Sequence, residues 1–163
     1  MRITYQLLVM MIVLALGLPG HSQPPASKDK LSVAARIIEL KEVPADPADT
    51  RLRVLLKERY NARLHLAQMA ARAVQASAAP VTELAGPVGI LALNGADLED
   101  RAEGRVKWLQ LRVDAFKEAE QDTQQKVKGG VTSLAEVNLI RATRADAEID
   151  LLLLNEIIKK GAK

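Results

Sequence analysis

From Ala102 to Val127 the chain repeats one spacing. Ala102, Val106, Leu109, Val113, Phe116, Glu120, Thr123 and Val127 follow one another at intervals of four and three, the mark of a helix that lays one seam against a neighbour. Its polar members, Glu120 and Thr123, lie towards the far end. Trp108 falls beside this seam and reads as a packing residue. A second run, Val137, Ile140, Ala147, Leu151, Leu154 and Ile158, keeps the same spacing with Arg144 as its charged interruption.

Between the two runs stand Gly129 and Gly130, which suit the left-handed conformation that closes a helix. Thr132 and Ser133 follow, and Ser133 with Glu136 three residues on forms a capping box. Lys159 and Lys160 complement the negative end of the second helix. The pattern predicts two antiparallel arms over 97–163 with the turn at 129–133. Each arm of about 30 residues would reach roughly 45 Å at 1.5 Å per residue. The candidate site residues are therefore structural: Gly129, Gly130, Thr132, Ser133 and Glu136 at the turn and cap, and Val106, Leu109, Val113, Phe116, Val137, Ile140, Leu151 and Leu154 in the seam.

The first half is less regular. Residues 1–22, with the apolar run Leu7 to Leu18 closed by Pro19-Gly20, have the layout of a secretory signal peptide cut after Ser22. That run falls short of the roughly 20 residues a membrane span needs. Residues 23–49 read as a short helix capped by Ser27, with Leu31, Ala34, Ala35 and Ile38 on one face, followed by a linker broken by Pro44 and Pro47. Residues 50–96 read as a long helix with an interrupted return. Asp49 or Thr50 caps that helix, and Leu52, Leu56, Tyr60, Ala67, Ala70 and Val74 form its stripe. Arg59 and Arg63 lie along the stripe's edge with solvated heads. Pro80, Gly86-Pro87 and Asn94-Gly95 act as punctuation, and Asp97 is placed to cap the next helix.

One echo links the halves. Val81-Thr82-x-Leu84-Ala85 recurs fifty positions later as Val131-Thr132-x-Leu134-Ala135. A duplicated hairpin and coincidence in an Ala-rich chain both account for it.

Composition sharpens the fold class. Apolar residues make up 48% but aromatics only 2%, and 26% are charged, which is the balance of long helices rather than of strands. The fold is expected to be all-α, an extended antiparallel helical hairpin or coiled coil with no β-barrel. The net charge of +3 comes from interspersed Lys, Arg, Asp and Glu, and no basic face carries aromatics for stacking, so nucleic acid is not an expected partner. With no cysteine and only His65 outside the leader, no metal, cofactor or disulfide is expected. Phosphate loops and nucleophile elbows are missing too, and no enzymatic activity is expected.

The stretch Val127 to Leu154 resembles the outer-membrane efflux (TolC-like) family, through Gly129, Gly130, Ser133, Leu134, Glu136, Val137, Arg141, Ala145, Ala147 and Glu148. In that family a long periplasmic helix ends at a glycine-containing turn and an Ala- and Glu-rich helix returns. The resemblance covers the two arms, with a fainter echo in Arg51 to Gln75. Family members are much longer and add transmembrane strands, and the alternating segments such strands need do not occur here. The resemblance implies a periplasmic or secreted helical-hairpin protein, associated with the outer membrane through partners. Those partners would be other helical envelope proteins or further copies of the chain. The alternative expectation is a periplasmic chaperone-like module whose apolar helix face binds clients or small hydrophobic ligands.

Overall fold

Caps and apolar spacing account for most of the helix boundaries. The computed structural model describes residues 32–161, and these fall within one compact unit. They form five helices: α1 (Val33–Glu39), α2 (Arg51–Gln75), α3 (Val81–Leu98), α4 (Ala102–Lys128) and α5 (Leu134–Gly161). There is no strand among the described residues. The expected leader and the Ser27 cap lie outside them.

Helix α1 is capped by Ser32, whose hydroxyl accepts from the Ala35 amide. It buries Val33, Ala34 and Ile37, so its inner face is shifted from the expected one, and Ala35 and Ile38 are half-buried. The short helix is pinned at both ends. The Val33 amide donates to the Glu118 carboxylate of α4 at 3.0 Å, and the Gln68 side chain of α2 donates to the Leu40 carbonyl at 2.9 Å. Beyond it, Val43 and the Asn61 side chain exchange two hydrogen bonds, at 2.9 and 3.0 Å. These tie the proline linker to α2.

Helix α2 starts at Thr50, whose hydroxyl accepts from the Arg53 amide. Tyr60, Leu64, Ala67 and Ala71 are its buried residues. Leu56, Ala70 and Val74 pack against the core edge, whereas Leu52, expected in the stripe, is 68% exposed because it precedes the core.

The largest departure is α3. The expected interrupted return is one continuous helix that contains Gly86, Pro87, Asn94 and Gly95. Tertiary packing outweighs the local breakers here. Leu84, Val88, Leu91 and Leu98 are buried between α2 on one side and α4 on the other. Gly89 and Gly95 are notches rather than stops, while Gly86 is exposed with open space around it. An added Cβ at Gly95 would lie 2.4 Å from the Trp108 indole, and one at Gly89 would lie 3.1 Å from the Phe116 ring. Asn94 stays in the helix by donating from its side chain to the Ile90 carbonyl at 2.7 Å.

Because α3 runs to Leu98, Asp97 caps nothing. It pairs with Arg59 of α2 at 2.6 Å, and α4 begins only at Ala102. Glu99, at the elbow, accepts from the Trp108 indole N–H at 3.1 Å and pairs with Lys107. Trp108 meets Tyr60 edge to face, with ring centroids 5.6 Å apart. Three helices thus meet around one indole.

Successive helices pack against each other in sequence, and α1 contacts both α2 and α4. Helix α5 packs chiefly along α4.

Candidate interaction surface

The turn that joins α4 to α5 is a Schellman motif, with glycine where the geometry demands it. The Val131 amide donates to the Lys126 carbonyl at 2.8 Å, and the Gly130 amide to that of Val127 at 3.0 Å. This closure puts Gly130 at φ +71°, a region that costs other residues energy. Gly129 is right-handed, so only the second glycine is conformationally required.

The restart follows the sequence closely. The Ser133 hydroxyl accepts from the Glu136 amide at 3.4 Å. The Glu136 carboxylate turns back to accept from the Thr132 hydroxyl. The second half of the box is therefore made through Thr132.

The same closure ends α2. The Ala78 amide donates to the Ala73 carbonyl and the Ser77 amide to that of Val74, with Ser77 at φ 55°. Ser77 and Gly130 are structural counterparts. At the fifty-residue offset of the sequence echo, however, Ser77 falls on Val127, inside α4. The echoed leucines also differ: Leu84 is 1% exposed and Leu134 63%. The two turns share a geometry, but the echoed motif is out of step with it.

Along the hairpin the structure brings the expected seam together. Leu109, Val113, Val137 and Ala147 are buried, and Val106, Phe116, Ile140, Leu151 and Leu154 are half-buried. The polar interruptions of the two arms meet. Glu120 accepts from Arg141 at 2.9 Å and from Arg144 at 2.6 Å. The Arg141 contact first, then Arg144, holds the Glu120 carboxyl below its ordinary value, against burial. Lys117 and Arg144 do the same for Glu148. Arg112 pairs with Asp150 further along. Helix α4 also buries Leu111, Asp114, Ala115 and Ala119, residues outside the seam. Their role is legible only once α1 and α3 are in place, since Arg36 of α1 reaches Asp114 at 2.6 Å.

The side of α5 turned away from α4 is the surface the spacing did not identify. Ile149, Leu152, Leu153 and Ile157 are all more than half exposed there, with Leu152 at 62% and Ile157 at 63%. A helix apolar on opposite faces is normally enclosed. Here one face is covered and the other is open. The sequence signal was present, in the large apolar residues left over once the seam is assigned: these four, with Leu134 and Leu139 nearer the turn.

Other surfaces offer less. A cavity of about 240 Å³ lies among Arg36, Leu40, Lys107, Trp108 and Leu111, below the roughly 300 Å³ at which small-molecule sites begin. A shallow groove runs past Arg63, Leu66, Pro87 and Ile90. Among the described residues no group of three or more His, Asp or Glu side chains is placed to hold a metal ion. No helix among them is long and apolar enough to cross a membrane. Comparison with protein-family models, curated proteins and solved structures returned no match.

Proposed function

We propose that this chain is an exported helical-hairpin protein of the cell envelope, a structural or interaction component that acts by packing α5 lengthwise against another helical surface. One observation carries the reading: the open apolar face of α5, Ile149, Leu152, Leu153 and Ile157, on a helix whose opposite face is already packed on α4. Burying a large aliphatic side chain contributes about 1.5–3 kcal/mol, so four on one face make a strong drive to association. The resemblance of 127–154 to the periplasmic arms of TolC-like efflux proteins supports an envelope setting and helical partners. The reading assigns the chain no reaction.

The test is a photo-crosslinking residue at Leu152 in the native host, with a second at exposed Arg72 on α2 as control. A defined adduct from Leu152 and none from Arg72 is expected. Absence of any adduct from Leu152 would refute the packing role.

A further inference from the structure

The open face of α5 has an internal symmetry. Along it lie Asp146, Ile149, Leu153, Ile157 and Lys160, all exposed. Their spacing is three, four, four, three, the same read in either direction from Leu153. The residue types mirror as well: leucine at the centre, isoleucine on each side, and opposite charges at the ends. Asp146 and Lys160 take no part in the ion pairs that tie α5 to α4, which use Arg112, Lys117, Glu120, Arg141, Arg144, Glu148 and Asp150.

We infer that the surface α5 packs against is α5 of a second copy of this chain, antiparallel and related by a two-fold axis at Leu153. The inference rests on the packing role proposed above and names its partner. A two-fold interface is self-complementary, so that residue i meets j and j meets i. With the axis at Leu153, that leucine meets its own copy and Ile149 meets the partner copy's Ile157. Asp146 and Lys160 each lie about 10 Å from the centre at 1.5 Å per residue, so each carboxylate reaches the partner copy's ammonium, twice per dimer. A parallel pairing would set Asp146 beside Asp146 and Lys160 beside Lys160. Charge therefore selects the antiparallel arrangement.

The chain has no cysteine, so single-cysteine variants of the full chain report without background. A disulfide needs Cα atoms within about 7 Å. Leu153→Cys alone should give a covalent dimer under mild oxidation. Ile149→Cys and Ile157→Cys should each react poorly with themselves, being about 12 Å apart along the axis, but should cross-link when mixed. Self-linking at all three positions would overturn the antiparallel arrangement.

Sedimentation then tests the charges at positions that leave the fold intact. Asp146→Lys should weaken dimerisation on the order of tenfold through two lost pairs, and adding Lys160→Asp should restore it. A monomer at every concentration, or no restoration, overturns the inference. The Leu152 photo-adduct separates the two readings. A two-chain mass supports self-pairing, an adduct with a different protein overturns self-pairing alone, and no adduct overturns both.

Discussion

Replacing Gly95 with alanine sets helix propensity against packing in one residue. Gly95 lies inside α3, where alanine should add about 1 kcal/mol of helix stability. Its new methyl, however, would sit 2.4 to 2.6 Å from three atoms of the Trp108 indole, whereas ordinary contact begins at 3.4 Å. The ring must retreat by about 1 Å. It is held on two sides, by Tyr60 edge to face and by the Glu99 carboxylate on its N–H. Overpacking a well-filled site costs about 1–3 kcal/mol, and loosening the aromatic contact adds about 0.5–1.5 kcal/mol. The net expectation is a loss of about 2 kcal/mol, which moves a urea midpoint down by about 1 M. Gly89→Ala is the internal comparison. Its methyl meets only the half-buried Phe116 at 3.1 Å, a ring that can yield by tenths of an ångström, so that variant should stay within about 0.5 kcal/mol of the parent. Urea unfolding followed by fluorescence reads both effects, since Trp108 is the one tryptophan of the chain. With unfolding followed by circular dichroism, since the fluorophore is gone, Trp108→Leu should remove most of the Gly95→Ala penalty, a non-additivity that identifies the contact. If Gly95→Ala instead stabilised the protein and left the emission unchanged, the close approach of α3 to the indole would be refuted.

The two turns give a matched pair of outcomes. Gly130→Ala should destabilise by about 1 kcal/mol while Gly129→Ala costs less, and Ser77→Gly should stabilise by up to about 1 kcal/mol; thermal unfolding ranks the three. Stability should also fall in acid, because Glu120, Glu148 and Glu99 all have carboxyls held below the ordinary glutamate value of 4.5 by charged donors. For depressed carboxylates the contribution is complete above the unfolded value and is lost as the pH falls through the folded ones. Denaturation midpoints should thus be level above about pH 5 and drop below pH 4.5, with a shallower drop in Glu120→Gln; a steepened drop in that variant would count against the assignment.

Much of this architecture is legible in the sequence where local and tertiary signals agree. Thr50, Ser133 and Gly130 end or begin helices as caps whatever surrounds them, and the four-three seams of α4 and α5 face each other as spaced. Helix α3 was illegible because Gly86-Pro87 and Asn94-Gly95 are local breakers, which the burial of Leu84, Val88, Leu91, Asn94 and Gly95 between two helices overrides. One signal did run through them. Leu84, Val88, Leu91, Gly95 and Leu98 follow at intervals of four, three, four and three, with glycine at the position where the indole presses closest. Asp97 misled for the same reason: an acid before an apolar run resembles a cap until the preceding helix is known to continue. Ser77 left no trace, since a serine in the left-handed region is held there by the turn around it and not by its own preference.

The two faces of α5 differ in chemistry, and the difference bears on function. Towards α4 the apolar seam is laced with ion pairs, from Glu120 with Arg141 and Arg144 to Arg112 with Asp150. Those pairs sit where the structure already supplies a partner for every charge, and a polar pair within a seam fixes which residues lie opposite each other. The outer face is laid out on the same plan, with apolar residues at helical intervals, Asp146 and Lys160 at the ends and exposed Glu156 beside Leu152 at its edge, but these charges have no counterpart on α4. The outer side of α2 is mixed, with Arg51, Glu58, His65 and Arg72 set among exposed Leu55 and Met69. Between Asp146 and Lys160, helix α5 instead presents four large aliphatic residues, with exposed Leu139 on the same face before Asp146. That is the layout of a seam whose second strand comes from outside the hairpin, and the mirror order of its residues makes another α5 the strand it fits.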